Sequence, residues 1–440
     1  MFSVLDFGAV PDGKTLARGA FQAAVDACHA AGGGTVLVPS GTYLLGTVVM
    51  RSHVHILFED GARILGSADF RHDYLPREPF EGDKFQDDSH SFFDHSLFVV
   101  KDCCDVGFSG HGTIDMQGIF TDTTQGQYYR TVKIFAMCRS RDILLADLTL
   151  LRACDLAVWL ADCERVRIKR LSLDVLVDGI SPDGCRDVVI SDCVIVADDD
   201  ALVFKSSFAL HRFIACENIA VRNCVISSNA SAIKIGTETN GDFRNISITG
   251  CVIRNVRRAG IALESADGAN LRGIVISGIT MQCVATPLFI RLCRRLRAPK
   301  GTPVGSIRDV IISNLTADTD GSAYKTHFLY LPGQQMVGPT CKPFPFASMI
   351  MGLPDHPIEN LTLRDIRICV EGGKTPEDAL PLPLPEKEEA YPDVNMFGWD
   401  KHLPVSCLIM RHVRGLRERN IVLRTHKEDT RPICLREDVE

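Results

Sequence analysis

The sequence predicts an all-β protein, a right-handed, single-stranded parallel β-helix with an N-terminal capping α-helix. Three observations predict it: a short strand pattern that recurs along most of the chain, turn-forming residues between the strands, and an amphipathic segment before the repeats. With 440 residues, of which 45% are hydrophobic and 23% charged, the chain can bury a large core. This composition excludes a disordered, collagen-like or coiled-coil protein.

The recurring pattern is a polar pair followed by alternating apolar and polar residues. Successive copies are as close as 22 or 23 residues, and insertions lengthen the other intervals. An apolar residue or cysteine stands seven places after each start, and an apolar residue stands nine places after it. A period of two predicts strands, and short strands repeated at this interval predict a parallel β-helix. The starts are Arg141, Glu164, Arg186, Glu217, Arg244, Arg272, Arg308, Glu359 and Arg414.

Turn-forming residues occupy one position between the two strands in eight of the nine copies, as a tight bend requires. They are Asp147, Asp192, Asn223, Gly250, Gly278, Asn314, Asp365 and Asn420. Six cysteines fall in the apolar positions or just before a start, and we interpret them as small buried hydrophobic residues rather than redox or metal groups. They are Cys163, Cys185, Cys193, Cys216, Cys224 and Cys251. The 17 cysteines of the chain are scattered, which favours a reducing compartment over a disulfide framework.

The amphipathic segment Thr15 to Ala31 predicts a helix that ends at Gly32-Gly33-Gly34 and precedes a strand, Thr35 to Val38. Because a β-helix has an open end, we expect this segment, about residues 12–34, to form its cap. We expect one domain over residues 1–440, with the long insertions as loops along a cleft. These insertions cover about residues 69–95, 318–357 and 370–405.

The formal net charge of -7 argues against nucleic acid as a partner. The sequence shows no membrane span and no signal peptide, so it predicts a cytoplasmic protein without a membrane partner, or a secreted one if a signal peptide was removed. It predicts no cofactor and no metal site, because the cysteines lack zinc-ligand spacing. The oligomeric state stays open.

Carboxylates converge on one outer face of the predicted helix. Asp178 and Asp200 are one minimal repeat of 22 residues apart, so they are expected to be neighbours at about the strand spacing of 4.8 Å, with Asp199 beside them. Like charges this close raise one pKa, which makes an acid and a base from one residue type. A solvated acidic turn or a cation site is the alternative. Each coil is expected to contain a third strand that follows the two strands of the repeat, and the aspartates lie at its start. The inward residues of the third strands are Ile180, Leu202, Ile233, Ile261 and Leu288.

Two groups of motifs carry a family resemblance. Phe7-Gly8-Ala9 and Pro39-Ser40-Gly41-Thr42-Tyr43 resemble the N-terminal signature of the pectin-degrading β-helix enzymes, and Asp178-Gly179-Ile180 with Asp199-Asp200 resembles the aspartate motifs of polygalacturonase-like glycoside hydrolases, family 28. The resemblance implies hydrolysis of a pectic or related plant or microbial glycan, with inversion of the anomeric configuration. It implies that Asp199 is the acid, while Asp178 and Asp200 hold the attacking water. For such an acid, one partner carboxylate is expected about 6.5–9.5 Å away.

The sequence also departs from this family. The family's Gly-His-Gly falls at Ala230-Ser231-Ala232, and its Arg-Ile-Lys, which grips a uronate, falls at Ala262-Leu263-Glu264. The chain resembles a divergent branch of the family in its Tyr391-Pro392 and Met396-Phe397-Gly398 motifs. These motifs lie in the predicted insertion at about residues 370–405, called the late loop below. An oligosaccharide or polysaccharide is the expected partner. The predicted substrate-binding residues are Lys205, Lys234, Glu238, Glu264, Arg291 and Asp183.

Two other functions stay open at this stage. One is a β-helix lyase or epimerase acting on a uronate, which needs a calcium site or a strong base. The other is a non-catalytic carbohydrate-binding β-helix. Tyr391, Phe397 and Trp399 are interpreted either as a sugar platform or as packing of the loop. The basic residues from Arg294 to Lys300 are interpreted as a solvated loop.

Overall fold

The computed structural model describes residues 1–119, 132–325, 340–341, 346–399 and 401–440. It comprises two compact units, residues 1–197 (unit 1) and 198–440 (unit 2). The prediction of one continuous domain stays a prediction.

The described residues of unit 1 form short parallel strands and one α-helix, α1 (Arg18–Ala30). Its strands are β1 (Phe2–Ser3), β2 (Asp12–Leu16), β3 (Gly34–Val38), β4 (Gly41–Leu45), β5 (Val48–Val49), β6 (Val54–Phe58), β7 (Ala62–Gly66), β8 (Ser96–Lys101), β9 (Cys104–Gly110), β10 (Thr113–Asp115), β11 (Lys133–Cys138), β12 (Arg141–Ala146), β13 (Thr149–Leu151), β14 (Val158–Ala161), β15 (Glu164–Lys169), β16 (Ser172–Val175), β17 (Ile180–Asp183), β18 (Arg186–Ser191) and β19 (Val194–Ala197). Short 3-10 helices cover Val4–Phe7 and Asp88–His90.

Unit 2 continues the same kind of structure with longer strands. Its strands are β20 (Leu202–Ser206), β21 (Cys216–Arg222), β22 (Val225–Ser228), β23 (Ile233–Thr239), β24 (Phe243–Thr249), β25 (Val252–Ser265), β26 (Asn270–Leu292), β27 (Ser306–Asp318), β28 (Tyr324–Lys325), β29 (Thr340–Cys341), β30 (Ser348–Met351), β31 (Ile358–Gly372), β32 (Leu408–Arg414), β33 (Arg417–Lys427) and β34 (Cys434–Val439). A 3-10 helix covers Pro376–Asp378.

The strand register confirms the repeat. In unit 1, Arg141 pairs with Glu164 and Glu164 with Arg186, so the predicted starts lie one above another. In unit 2, the starts from residue 217 to residue 359 form the same ladder, and Ile279, Leu315, Ile366 and Ile421 form the predicted ladder seven places on. The parallel strands enclose an apolar interior. The fold class is the predicted right-handed parallel β-helix.

The bends between strands are left-handed, as the turn residues predict. All eight predicted turn positions have φ between 52° and 67°. The second residue of each start is also left-handed, with φ between 53° and 68°. Asn, Asp and Gly recur at these positions because they tolerate this conformation better than other residues. Two left-handed bends per coil therefore explain the polar pairs and turn residues of the repeat.

Asn223, with φ of 56°, offers a test of this account. Asn223→Ala is expected to lower the free energy of unfolding by about 1 kcal/mol, because alanine adopts a left-handed backbone at a cost. Asn223→Gly removes the same side chain without that cost. We therefore expect urea denaturation to rank the glycine variant above the alanine variant, and the reverse order would contradict the account.

The helix α1 forms the predicted cap on the first coil of unit 1. Phe21, Ala24, Val25 and Cys28 are buried, and the Phe21 ring lies edge-on to Tyr43 at 5.6 Å. The predicted helix start at Thr15 was wrong by three residues. Asp12 accepts hydrogen bonds from the backbone N–H groups of residues 14 and 15, and this turn lies within strand β2.

The six cysteines of the repeat are buried free thiols, as predicted. Among the described residues, no helix combines the length and apolar character needed to cross a bilayer.

Candidate active site

Asp199 and Asp200 lie in the bend just before strand β20. The backbone N–H of Asp200 donates to Oδ1 of Asp199 at 3.1 Å, and the Ser228 hydroxyl donates to the Asp199 carbonyl at 2.6 Å. Asp200 is buried, whereas Asp199 is partly exposed. The two adjacent aspartates are therefore held in different environments, as an acid and a base made from one residue type require.

Lys234 on strand β23 is the central cation of this site. Its Nζ lies 3.1 Å from Oδ2 of Asp200 and 3.9 Å from Oε2 of Glu264. The other Asp200 oxygen accepts from the Ser231 backbone N–H at 3.0 Å. Burial alone would raise the pKa of Asp200, but Lys234 and Lys205 outweigh it and hold that pKa below its ordinary value. Asp200 is therefore an ionised carboxylate whose two oxygens are both engaged.

Glu264 at the end of strand β25 is the most unusual acid of the site. It is 2% exposed, and its Oε2 accepts no hydrogen bond from the described residues. Burial raises the pKa of Glu264 to about 8, and Asp393 and Asp200 add to the rise, although Lys234 opposes it. A Cβ atom at Gly236 would lie 2.7 Å from this oxygen, so only glycine leaves room for the carboxyl group there.

The raised pKa of Glu264 predicts a pH-dependent stability. Below about pH 4.5 the carboxyl is protonated in both states, and between about pH 4.5 and pH 8 only the unfolded chain releases the proton. The contribution of Glu264 to the free energy of unfolding is therefore lost as pH rises through this window, with a limiting slope of about 1.4 kcal/mol per pH unit. We expect urea denaturation between pH 5 and pH 8 to favour Glu264→Gln over the wild type increasingly with pH.

Glu359→Gln, at an exposed position, is the matched control and is expected to follow the wild type. Parallel pH profiles of the wild type and Glu264→Gln would contradict a raised pKa at Glu264.

Arg258 and Asp393 are site residues that the sequence did not predict. Arg258 NH1 lies 2.8 Å from Oδ2 of Asp393, which brings the late loop to the site. Burial raises the pKa of Asp393, with Arg258 opposing. Arg258 lies within strand β25 and has no signal in the coil repeat. Asp393 lies inside the Tyr391 to Gly398 motif, of which the family resemblance uses only Tyr391-Pro392 and Met396-Phe397-Gly398.

A second buried group lies at the other end of strand β23. Glu238 accepts from Lys205 Nζ at 2.8 Å and from Arg297 at 2.5 Å. Arg295 pairs with Asp267 at 2.5 Å and also donates to the Thr237 carbonyl at 2.6 Å. The prediction of a solvated loop is wrong for Arg295 and Arg297, because both are ion-paired to buried acids that anchor the segment after strand β26.

Arg291 is 1% exposed. Its guanidinium donates to the backbone carbonyls of Gly352, Glu386 and Lys387 at 2.8 to 3.3 Å. Burial lowers the pKa of Arg291. Direct substrate contact by Arg291 stays a prediction, and it would require the segment around residue 386 to move.

The aromatic residues of the late loop divide between the two interpretations. Phe397 and Trp399 pack against a buried apolar cluster that also contains Phe289 and Met349. Tyr391 is 48% exposed, and its hydroxyl lies 3.0 Å from the Thr237 hydroxyl. Packing therefore accounts for Phe397 and Trp399, whereas the exposed ring of Tyr391 keeps the sugar-platform interpretation open.

Unit 1 carries the remaining two predicted residues, Asp178 and Asp183, at the two ends of the strand β17 segment. Both are buried. The Asp178 carbonyl accepts from the Ala157 N–H at 3.0 Å, and Trp159 Nε1 donates to Asp183 at 3.4 Å. The Phe93 ring stacks on Trp159 at 4.2 Å. The pairing of Asp178 with Asp200 stays a prediction.

The described part of unit 2 also contains a mixed group of potential metal ligands. Donor atoms of Asp318, Cys369 and His426 lie within 4.8 Å of one another. His426 Nε2 and Asp318 Oδ1 already form a 2.6 Å hydrogen bond, and Asp318 is exposed. These contacts account for the grouping without an ion.

Comparisons with known proteins agree with this structure. A family model described as rhamnogalacturonase A/epimerase, pectate lyase-like, matches residues 1–144. A probable polygalacturonase of Vitis vinifera is 29% identical over 299 residues, which cover 64% of this chain and 60% of that relative. The chain therefore spans less than two thirds of the grapevine protein.

Two solved structures share the fold. An exopolygalacturonase from Thermotoga maritima matches with a TM-score of 0.65 and 22% identity, over 84% of this chain and 86% of that one. A family 28 exopolygalacturonase from Yersinia enterocolitica matches with a TM-score of 0.67 and 15% identity, over 100% of this chain and 78% of that one. The resemblance predicted from the sequence is confirmed: the chain has the polygalacturonase-like parallel β-helix fold.

Proposed function

We propose that this protein is a glycoside hydrolase that cleaves a pectic or related glycan with inversion. One observation carries the proposal: Asp200 is held ionised by Lys234 and the Ser231 N–H, directly beside the more exposed Asp199. A fixed carboxylate next to an accessible carboxyl group supplies the base and the acid that glycoside hydrolysis requires. The grapevine relative, described as a probable polygalacturonase, supports this class of reaction.

In the proposed reaction Asp199 protonates the glycosidic oxygen while the bond to the anomeric carbon breaks. A water held by Asp200 attacks the same carbon from the opposite face and gives its proton to a carboxylate. The 22-residue register supports Asp178 as the second residue that holds this water. Each turnover leaves Asp199 deprotonated and a base protonated, so a proton exchange through solvent restores the starting state.

The distance between the acid and the base distinguishes inverting from retaining glycoside hydrolases. One oxygen of Asp199 and one of Asp200 lie within 4.8 Å of each other, which is shorter than the expected window of about 6.5–9.5 Å. The prediction of a wide separation is therefore not met by this pair, and closely spaced carboxylates are typical of retaining enzymes. We favour inversion because both Asp200 oxygens are engaged, which suits a group that holds water better than a nucleophile.

We also propose that the enzyme acts near a chain end. The late loop covers the outer face of the coils after Glu264. On this face the strand pairing places an apolar ladder in line with Lys234, formed by Ala262, Phe289, Met349 and Ile409. These side chains are buried with loop residues in one apolar cluster. A glycan extending over this face would have to displace the loop. Release of short products from the start of digestion is therefore expected, and early production of long fragments would argue against chain-end action.

A uronate lyase or epimerase remains the second candidate. The matching family model, whose description includes epimerase and pectate lyase, ends at residue 144 and includes none of Asp178, Asp199 and Asp200. Product analysis on a panel of pectic and hemicellulosic oligosaccharides separates the candidates. Hydrolysis yields saturated products and new reducing ends, whereas a lyase yields an unsaturated sugar with ultraviolet absorbance, and an epimerase yields no new ends.

A further inference from the structure

We propose that the subsite formed by Lys234, Glu264 and Arg258 binds an uncharged sugar, an inference that rests on the proposed hydrolase function. Glu264 determines this specificity. The chemical class of the preferred unit is a neutral hexose, pentose or deoxyhexose rather than a uronate.

The first support is that acids already engage the cations of this subsite. Lys234 pairs with the ionised Asp200 at 3.1 Å, and Oε2 of Glu264 lies 3.9 Å from the same Nζ. Arg258 pairs with Asp393 at 2.8 Å. A uronate carboxylate would have to compete with these acids for the same cations, and it would add a negative charge beside them.

The nearby cations of unit 2 are engaged in the same way. Lys205 and Arg297 bind the two oxygens of Glu238, and Arg295 binds Asp267. Arg291 donates to backbone carbonyls. The paired acids hold these side chains in place, so recruiting one of them for a uronate would break a buried ion pair, which is costly.

The second support is Oε2 of Glu264, which accepts no hydrogen bond from any described residue although Lys234 Nζ lies 3.9 Å away. A buried polar atom without a hydrogen bond is unusual in a folded protein and calls for a partner. A sugar hydroxyl both donates and accepts, so it satisfies a carboxyl group in either protonation state. A uronate carboxylate only accepts, and it would meet Glu264 as a like charge whenever Glu264 is ionised.

The third support is the fixed position of Glu264. Gly236 leaves space for its carboxyl group, and strand pairing with residues 286–292 holds the backbone of this segment. The charged groups that act on it are Lys234, Asp393, Asp200 and Arg295. Because burial raises its pKa to about 8, Glu264 is largely protonated at neutral pH and can donate to a sugar oxygen.

The test uses pairs of oligosaccharides that differ only in charge. Oligogalacturonides, oligomannuronates and glucuronate-containing oligosaccharides are each compared with the same material after chemical reduction of its carboxyl groups to primary alcohols. For the wild type we expect kcat/KM at least tenfold higher for the reduced member of the best pair. Glu264→Gln is expected to keep this preference, because glutamine is neutral and of the same shape, whereas Glu264→Lys should shift the ratio toward the acidic member.

The outcomes separate the inference from the proposed function. Faster cleavage of the acidic members by the wild type, with loss of cleavage in Asp199→Asn, would overturn the inference and leave the hydrolase intact. If no member is cleaved, the hydrolase proposal fails, and binding calorimetry with the same pairs decides the inference: tighter binding of the reduced members supports it, and equal or weaker binding, or none, overturns it. The wild-type ratio is decisive even if Glu264→Lys does not fold.

Discussion

Asp199→Asn is expected to lower kcat by about 100- to 10,000-fold on any glycoside that the wild type cleaves, the range for loss of a general acid. Asparagine keeps the shape of the side chain, and its amide oxygen can still accept the hydrogen bond from the Asp200 N–H. It has no acidic proton to give to the leaving oxygen. The thermal unfolding midpoint should therefore stay close to that of the wild type while steady-state cleavage is lost.

Asp187→Asn is the matched control, because it makes the same chemical change at an exposed left-handed bend with φ of 58°. It should leave kcat unchanged. Full activity of Asp199→Asn would remove Asp199 from the mechanism.

Lys234→Met is expected to lower the free energy of unfolding by about 3–5 kcal/mol, the usual cost of removing one partner of a buried ion pair. Methionine preserves much of the apolar stem but leaves the ionised, buried Asp200 without its closest cation. Loss of this charge should also raise the pKa of Asp200, since Lys234 is the largest influence that lowers it. Urea denaturation at neutral pH measures the loss of stability.

Two further variants identify the cause. Lys234→Met combined with Asp200→Asn should recover part of the lost stability, because it removes a carboxylate that has lost its counterion. Lys427→Met breaks the exposed pair with Glu371 and should cost no more than about 1 kcal/mol. A Lys234→Met variant as stable as Lys427→Met would show that the central ion pair contributes little.

The coil repeat was predictable because it depends on local chemistry. Each coil needs inward apolar residues at a period of two and left-handed bends, and both leave a signal in every repeat. Ile233 pairs with Leu202 and Ile261, as the alignment of the third strands predicts. The N-terminus of α1 was less predictable, because a turn closed by Asp12 competes with the helix for residues 14 and 15.

The candidate site was predictable only where it follows the repeat. The 22-residue register identified Asp178 and Asp200. The contact between Arg258 and Asp393 joins residues 135 positions apart through an irregular loop, so no periodic signal marks it. The burial of Arg291 under the segment around residue 386 was missed for the same reason. The raised pKa of Glu264 depends on how the loop and the strands pack, which the sequence pattern does not specify.

The stereochemistry of the first product distinguishes inversion from retention. A proton NMR time course with wild-type enzyme, on the best substrate of the oligosaccharide panel, records the anomeric configuration before mutarotation. An inverting mechanism requires the new reducing end to appear first with the configuration opposite to that of the cleaved bond. Initial appearance of the same configuration would contradict it, and would instead indicate that an aspartate of the closely spaced Asp199 and Asp200 pair acts as a nucleophile.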